Sequence, residues 1–375
     1  MYLPFVIIGA GIIGATIAYE LSFLNGIEII LVDEKFPASS STKGALGVLR
    51  GVANYKTKGK GWDLCKTSLK RYKTLIPELE KLTQIPIQVN SNGILLLHYV
   101  DNYLEKWGDL IEIRNSSSYF LEVWEKSTLF QKCPQIKDER ITGAIYSPQD
   151  FQVNPIQMTR ALVLGASLNG VHCLFNTKIQ KISPSFDQKF SHDLTCYTKT
   201  SKRILKADYI VISAGLGSNE LVNKLQTIVK IKPVIGQGMQ IDLNAPLENT
   251  NFIPVIAGKG INIIPVNPQR YWVGSTIEFP RSNGEMLAQS KFLEQIKREL
   301  FSICPGFKNG NITKIWTGKR PRPDGGIAPI IEKIPHHSNI LLATGHYRNG
   351  ILLAPATALN IKNKILEDLS IKYNH

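Results

Sequence analysis

At 375 residues the chain is too long for one simple core, and 43% hydrophobic with 9% aromatic residues is ordinary for a globular protein, so two domains are expected. The five cysteines (Cys65, Cys133, Cys173, Cys196, Cys304) are scattered, odd in number and free of C-x-x-C spacing, which argues against a disulfide framework or zinc site and for a reducing, cytoplasmic setting. The net charge of +14 is compatible with nucleic acid, anionic lipid or an acidic partner, but it comes mostly from dispersed lysines, with no RNA-binding motif of interleaved aromatics.

Phe5–Ile8 reads as a short apolar strand running into Gly9-x-Gly11-x-x-Gly14, a helix pattern, and a second strand, Ile27–Val32, that ends in Asp33. This is a dinucleotide-binding βαβ fingerprint. Gly9 suits the tight turn, Gly11 the approach of backbone to a pyrophosphate, and Gly14 close helix–strand packing. Asp33, about twenty residues on, is placed to accept hydrogen bonds from an adenosine ribose. The stretch Leu3–Leu24 is apolar enough to resemble a signal peptide or membrane span. No basic residue precedes it, no A-x-A-like cleavage site follows, and Glu20 lies within it, so the nucleotide reading is preferred.

Further along, Ala38–Gly47 is a small-residue loop, and the basic patches Lys56–Lys60 and Lys199–Arg203 fall in expected loops. Leu64, Leu69, Tyr72, Leu75, Leu79 and Leu82 recur at three- and four-residue steps and predict an amphipathic helix over 62–82. Asn92-Gly93 introduces a strand, Ile94–Leu97. A second helix is predicted from Asn154 to Asn169, with Pro155 in its first turn and Gly170 at its end, followed by a strand over 171–175. Ala207–Ser213 reads as a buried strand with Ala214-Gly215 as its sharp exit. Between 231 and 277 the β-runs Val234–Ile241, Ile261–Val266 and Tyr271–Ser275 predict antiparallel sheet. Phe292–Ile303 is a predicted helix. His336-His337 has no partner cluster and reads as loop. The apolar run Ile340–Ala343 then feeds GHYRNGILLAPATA, Gly345–Ala358, where glycine and a helix start leave backbone N–H groups aimed at one spot, a setting for an anionic or electron-rich ring edge. The expected fold class is α/β (α+β): a Rossmann-like nucleotide-binding domain built from separated segments (1–85, 145–220, 335–375) and an inserted antiparallel β-sheet domain (86–144, 221–334).

Taken together, the N-terminal glycine fingerprint, ASSSTKGALG, GILLL, ADYIVISAG, Trp316-Thr317-Gly318-Lys319-Arg320-Pro321 and ATGHYRNGILLAPATA resemble the D-amino-acid oxidase superfamily of flavoproteins, most nearly the glycine oxidases of thiamine biosynthesis. The resemblance covers essentially the whole chain and implies FAD, bound non-covalently, since no cysteine lies near the Trp316 tract. It places Gly9, Gly11, Ile12, Ile13 and Gly14 at the pyrophosphate, Asp33 and Glu34 at the ribose, and Ile179 at the adenine end. Ser39, Lys43, Gly44 and Ala45, with His346, Tyr347, Arg348, Asn349, Gly350, Ile351 and Leu352, fall to the flavin side, and Gly215 is a further cofactor-binding position. It assigns Arg320 and Arg348 to a substrate carboxylate, which a guanidinium grips bidentately; the structural alternative for each is an interdomain or surface salt bridge. Arg322 is expected to be an exposed neighbour.

Two positions depart from the glycine-oxidase pattern. Asn262 stands where a tyrosine is usual, and Ile277 where a methionine is usual. Asn262 is either a substrate contact or a turn residue. The implied activity is oxidation of glycine or another small amino acid (sarcosine, small D-amino acids) with dioxygen as acceptor. A quinone-linked dehydrogenase and an oxidase acting on a modified transfer-RNA base are the alternatives. The implied partners are the amino acid and dioxygen, with no membrane span, no nucleic acid and a homo-oligomer allowed.

Overall fold

The structure, a computed structural model, describes residues 3–186, 191–225, 227, 229–247, 251–280 and 286–373. The first predicted strand, Leu3–Ile8, lies inside a six-stranded sheet and pairs in parallel with Ile27–Val32 on one side and Tyr209–Ile212 on the other. His172–Leu174 and Ile340–Thr344 extend the parallel sheet, and Ile330–Lys333 closes one edge antiparallel to Ile340–Thr344. Alternation along the first strand serves two cores. Phe5 and Ile7 face helices Ile12–Leu21, Lys60–Thr83, Pro155–Leu168 and Gly350–Tyr373. Val6 and Ile8 face a three-stranded antiparallel sheet, Lys178–Pro184, His192–Tyr197 and Lys202–Ala207. Lys202 and Arg203, expected in a loop, therefore sit on a strand, where the pairing Cys196↔Arg203 and Tyr197↔Lys202 leaves their side chains exposed.

The N-terminal stretch that resembled a membrane span is this strand and helix. Its awkward residue, Glu20, is 4% exposed and meets Arg71 of helix Lys60–Thr83 at 2.7 Å, and Arg71 also holds Glu78 through both terminal nitrogens. A buried carboxylate is tolerated there because a guanidinium neutralises it. Among the described residues no helix is long and apolar enough to cross a membrane.

The second layer is an eight-stranded sheet. Its strand order is Asn311–Pro323, Ile231–Asp242, Arg270–Gly274, Ile261–Asn267, Val255–Gly258, Ile94–His98, Gly143–Ser147 and Glu122–Glu125. Helices Lys126–Lys132 and Ser290–Ile303 cover its core. Two strands lie across the expected divisions of the chain. Gly143–Ser147 pairs with Ile94–His98 in the eight-stranded sheet, which is antiparallel except where Val255–Gly258 runs parallel to Ile94–His98, and Ile330–Lys333, within the segment expected in that sheet, belongs to the parallel one.

Helix Gly350–Tyr373 carries Pro355, which has no N–H for the carbonyl of Ile351 four residues earlier. The buried Tyr72 hydroxyl donates to that carbonyl at 2.5 Å, and Ser68 Oγ accepts from Ala356 N–H. Tyr72→Phe is expected to lower unfolding stability by about 1–3 kcal/mol, the cost of a buried polar atom left without its partner. Urea denaturation of both proteins checks it, and an unchanged midpoint would mean water replaces the phenol.

Candidate functional site

The carboxyl ends of Leu3–Ile8 and Tyr209–Ile212 meet the glycine loop. Gly9 has φ +107°, and a Cβ there would lie 2.7 Å from Ser213 O. A Cβ on Gly14 would lie 1.8 Å from Gly9 O, so helix and strand touch as the fingerprint requires. Gly11 caps helix Ile12–Leu21 without a side-chain bond. Thr42 Oγ1 accepts from Ile12 N–H at 3.1 Å, while the N–H groups of Ile13 and Gly14 find no acceptor among the described residues. Two free donors at the positive end of a fully buried helix, beside a glycine with no Cβ, fit a pyrophosphate. Asp33 sits at the end of the second strand. Its carboxylate accepts from Ala10 N–H at 2.6 Å and Lys35 N–H at 2.8 Å, and burial pushes its pKa up against those bonds. Each oxygen keeps a lone pair for a ribose hydroxyl. Glu34 is exposed and pairs with Lys35. Ile179 lies just beyond Thr177, whose N–H donates to Asp33 O, so it stands on the Asp33 side of the loop with its side chain buried.

Lys43 and Gly44 form a short 3₁₀ turn, Ser41–Gly44, with Ser39 exposed just before it and Ala45 after it. This turn abuts the antiparallel sheet: a Cβ on Gly44 would meet Gly318 Cα at 2.7 Å, Ser41 Oγ donates to Lys319 O, and Trp316 Nε1 donates to Gly44 O at 3.4 Å. Gly318 therefore lets the two domains close on each other. Gly215, at φ +58°, has open space at its Cβ position and accepts from Thr344 Oγ1.

Trp316, Gly318 and Arg320 alternate along one face of strand Asn311–Pro323 and register against Gly238, Gly236 and Val234. Arg320 lies over Gly236, where a Cβ would fall 1.9 Å from Nη2. Its Nη1 donates to Ile235 O at 2.9 Å and Thr276 O at 3.0 Å, and Nη2 donates to Ser275 Oγ at 2.6 Å. The fork is thus aimed by main chain, with N–H positions to spare. Burial, then repulsion from Arg348, lowers its pKa to about 10, so it stays charged at neutral pH. The buried carboxylate of Glu278 offsets that charge but is itself held by Gln237 Nε2, Thr276 Oγ1 and Gln289 N–H.

Arg348 enters from the other domain. Tyr347, at φ +52°, donates its N–H to Pro321 O, which brings the 345–350 loop against Arg320. Arg348 is exposed and carries no hydrogen bond or ion pair among the described residues. Gly350, Ile351 and Leu352 begin the helix with no acceptor for their N–H groups among the described residues, and Asn349 O caps Leu353 N–H. His346 behaves differently from its neighbours: its side chain is buried against Thr357 at 2.9 Å. Thr357 already donates to Leu353 O, so Nε2 of His346 donates to it. Burial pushes this imidazole down to about 3, and it is neutral. Its backbone lines the loop; its ring fixes the helix. Arg322 is exposed, as expected, over the rings of Phe279 and Tyr347.

Asn262 lies on a strand, not a turn, opposite Gly274, and donates to Gly274 O at 3.3 Å. Ile277 is 39% exposed, two residues past Ser275. Ser275, Glu278, Gly236 and Thr42 escaped the sequence reading. The G-x-G of Gly236-Gln237-Gly238 within a strand was the available signal, since glycine there marks a close approach. His336-His337 is a turn, and among the described residues no cluster that could hold a metal occurs.

The parallel sheet, with a glycine loop at the start of a buried helix and Asp33 at the end of the next strand, defines a dinucleotide-binding protein. A family model described as FAD dependent oxidoreductase matches residues 5–362, and the chain belongs to that family. It is similar to the glycine oxidase of Bacillus licheniformis, 27% identical over 96% of this chain and 92% of that protein. It is also similar to the bifunctional protein ThiO/ThiG of a Nostoc species, 30% identical over 97% of this chain and 53% of that one. The crystal structure of glycine oxidase from Geobacillus kaustophilus superposes with TM-score 0.85 at 22% identity, covering 97% of this chain and 94% of that one. The protein is an FAD-dependent oxidoreductase, and the glycine loop, with its two free donors beside Asp33, fits the cofactor.

Proposed function

We propose that the protein oxidises the C–N bond of a small α-amino acid, glycine or an N-substituted or D-configured relative, with FAD held non-covalently and dioxygen as the final acceptor. The observation that carries this reading is the pairing of Arg320, aimed by Ile235, Thr276 and Ser275, with Arg348 at the helix entrance. Two guanidiniums from two domains converge; Glu278 offsets part of the charge of Arg320 but is itself held by three donors, and Arg348 has no ion pair among the described residues. An α-carboxylate gripped there has its orientation set, which turns Cα toward the flavin side.

When bound, FAD supplies a two-electron acceptor for the hydride at Cα. Ile13 and Gly14 N–H would hold its pyrophosphate and Asp33 its ribose, while the free N–H groups of Gly350, Ile351 and Leu352 would favour negative charge on the reduced flavin. Glu278, the carboxylate beside Arg320, is buried and already accepts from three donors, so this reading gives it no role as a base. The substrate amine therefore loses its proton to solvent, and its lone pair completes the imine. An imine of glycine suits thiazole formation in thiamine biosynthesis, the setting of the glycine oxidases this sequence resembles.

Adding glycine anaerobically to the purified yellow protein is expected to bleach its visible absorbance, and air is expected to restore it with release of peroxide. Recovery only with a quinone would replace oxidase by dehydrogenase. No bleaching by glycine, sarcosine or small D-amino acids would overturn amine oxidation.

A further inference from the structure

Asn262 takes no part in the chemistry so far assigned to the cleft, yet the sheet sets it on the same face as Arg320. Directly paired residues of an antiparallel sheet project to one side, and the register runs Ala257↔Asn262↔Gly274↔Gly238↔Trp316. Arg320 follows on that side, four residues beyond Trp316 on the same strand. The face looks toward the FAD-binding domain, because Trp316 Nε1 reaches Gly44 O. Gly274 and Gly238 stand between Asn262 and Trp316, and Gly236 lies under Arg320. The floor between amide and guanidinium is therefore backbone, overlaid by the Trp316 ring at Gly238 and by Leu46 at Gly274.

Two hydrogen bonds on consecutive residues fix the spacing. Asn262 Nδ2 donates to Gly274 O at 3.3 Å, and Ser275 Oγ accepts from Arg320 Nη2 at 2.6 Å. One peptide link, with Cα atoms about 3–4 Å apart, thus joins the residue that holds the amide to the residue that holds the guanidinium. That suits the two ends of a single α-amino acid, whose carboxylate and amine share one carbon. Chemistry then divides the ends. The Gly274 carbonyl accepts only from the amide nitrogen, which fixes the flip of the side chain, and among the described residues nothing donates to Oδ1. Its neighbours on this face, Ala257 and Ile264, are buried and apolar and offer no donor. A guanidinium draws a carboxylate. An amide oxygen repels one and accepts instead from an amine N–H.

We propose that Asn262 Oδ1 accepts a hydrogen bond from the substrate amine, which restricts oxidation to amino acids whose nitrogen carries a hydrogen: primary and secondary amines, not tertiary ones. This rests on the amino-acid reading proposed above. As Cα gives up its hydride to FAD, the nitrogen lone pair forms the C=N bond and the nitrogen becomes positive, so the contact strengthens in the transition state. The holoenzyme tests it with sarcosine against N,N-dimethylglycine, and N-methyl-D-alanine against its N,N-dimethyl form. Acetate, a carboxylate without an amine, is the control, its binding read from the flavin spectrum. Wild type is expected to oxidise the secondary amine of at least one pair and to leave the tertiary one almost untouched. Asn262→Leu, close in size and without polar atoms, is expected to lower kcat/KM for the secondary amine by roughly 10- to 150-fold, the range for a hydrogen bond to a charged group, mostly through kcat. Its acetate affinity is expected to stay at the wild-type value, and Asn262→Ala repeats the comparison with the side chain removed. Tertiary amines oxidised as well as secondary ones by the wild type would overturn the proposal without any variant and leave amine oxidation standing. An unchanged kcat/KM in a folded, yellow variant would overturn it too. So would an acetate affinity that falls along with the rate, by showing that Asn262 acts through Ser275 on Arg320. Failure of every amine to bleach the flavin would remove this proposal and the function it rests on together.

Discussion

Arg320→Ala is expected to yield a protein that is still yellow and whose kcat/KM for its amino-acid substrate is lower by roughly 30- to 5000-fold. That range follows from the 2–5 kcal/mol typical of truncating one partner of a buried, hydrogen-bonded charge pair. The side chain is seated over Gly236 and aimed by Ile235 O, Thr276 O and Ser275 Oγ, so its reach into the cleft is set before substrate arrives. Because the carboxylate is bound in the ground state and the transition state alike, most of the loss should appear in KM. A smaller fall in kcat is expected where orientation of Cα suffers. Arg320→Lys should recover little: an ammonium keeps the charge, but it cannot bridge two backbone carbonyls and a bidentate carboxylate together. The variant also leaves Thr276 O and the Glu278 carboxylate without their cation. Thermal unfolding and flavin content must therefore be recorded beside the kinetics. An amino-acid affinity equal to wild type in a folded, yellow variant would remove Arg320 from the substrate site.

The legible parts of this chain were those whose signals are local. The glycine loop announces itself because each glycine answers a separate steric demand within one βαβ unit, and Asp33 follows from the length of that unit. Asn154 and Pro155 mark a helix start in the text, and in the fold Asn154 Oδ1 does accept from Ile156 and Gln157 N–H. Helix Lys60–Thr83 was visible through its apolar spacing alone. Helix Tyr103–Asn115 was not read at all, because only Tyr103, Trp107, Leu110 and Arg114 are buried and Arg114 does not look like a core residue. Its burial is explained only by carbonyls some sixty positions earlier in the chain. Edge strand Ile330–Lys333 was missed for a similar reason: short strands take their identity from a partner, here Ile340–Thr344.

The candidate site divides along the same line. The residues proposed to hold the cofactor through backbone sit in motifs, since the geometry of a glycine or a helix start is written nearby. The groups that aim Arg320, the carbonyls of Ile235 and Thr276 and the hydroxyl of Ser275, come from two other segments of the chain, and their spacing says nothing about their meeting. Glu278 looks like a surface acid in the text. In the fold it is 3% exposed, the carboxylate that makes a half-buried guanidinium tolerable.

Gly14→Ala and Gly11→Ala are expected to separate what two glycines of one motif do. At Gly14 an added Cβ would stand 1.8 Å from Gly9 O and 2.5 Å from Ser213 Oγ. Backbone at that distance cannot rotate away, so the phosphate loop or the helix must move, and Ser213, which donates to Ile8 O and Gly9 O, must move with it. Overpacking of this kind costs about 1–3 kcal/mol or more, and here it also displaces the Ile13 and Gly14 N–H donors. The expected result is a colourless, less stable protein that FAD in excess does not reconstitute. At Gly11 the same Cβ meets only Thr42 Oγ1, at 3.3 Å, and that side chain can shift. Gly11→Ala should therefore fold normally and bind FAD weakly, because the methyl occupies space where the pyrophosphate approaches, not space that packing needs. Equilibrium dialysis with FAD, run beside denaturant unfolding of the apoproteins, measures both quantities. Equal stability in the two variants would show that helix–strand contact at Gly14 relaxes freely. Full FAD affinity in Gly11→Ala would move the pyrophosphate away from this glycine.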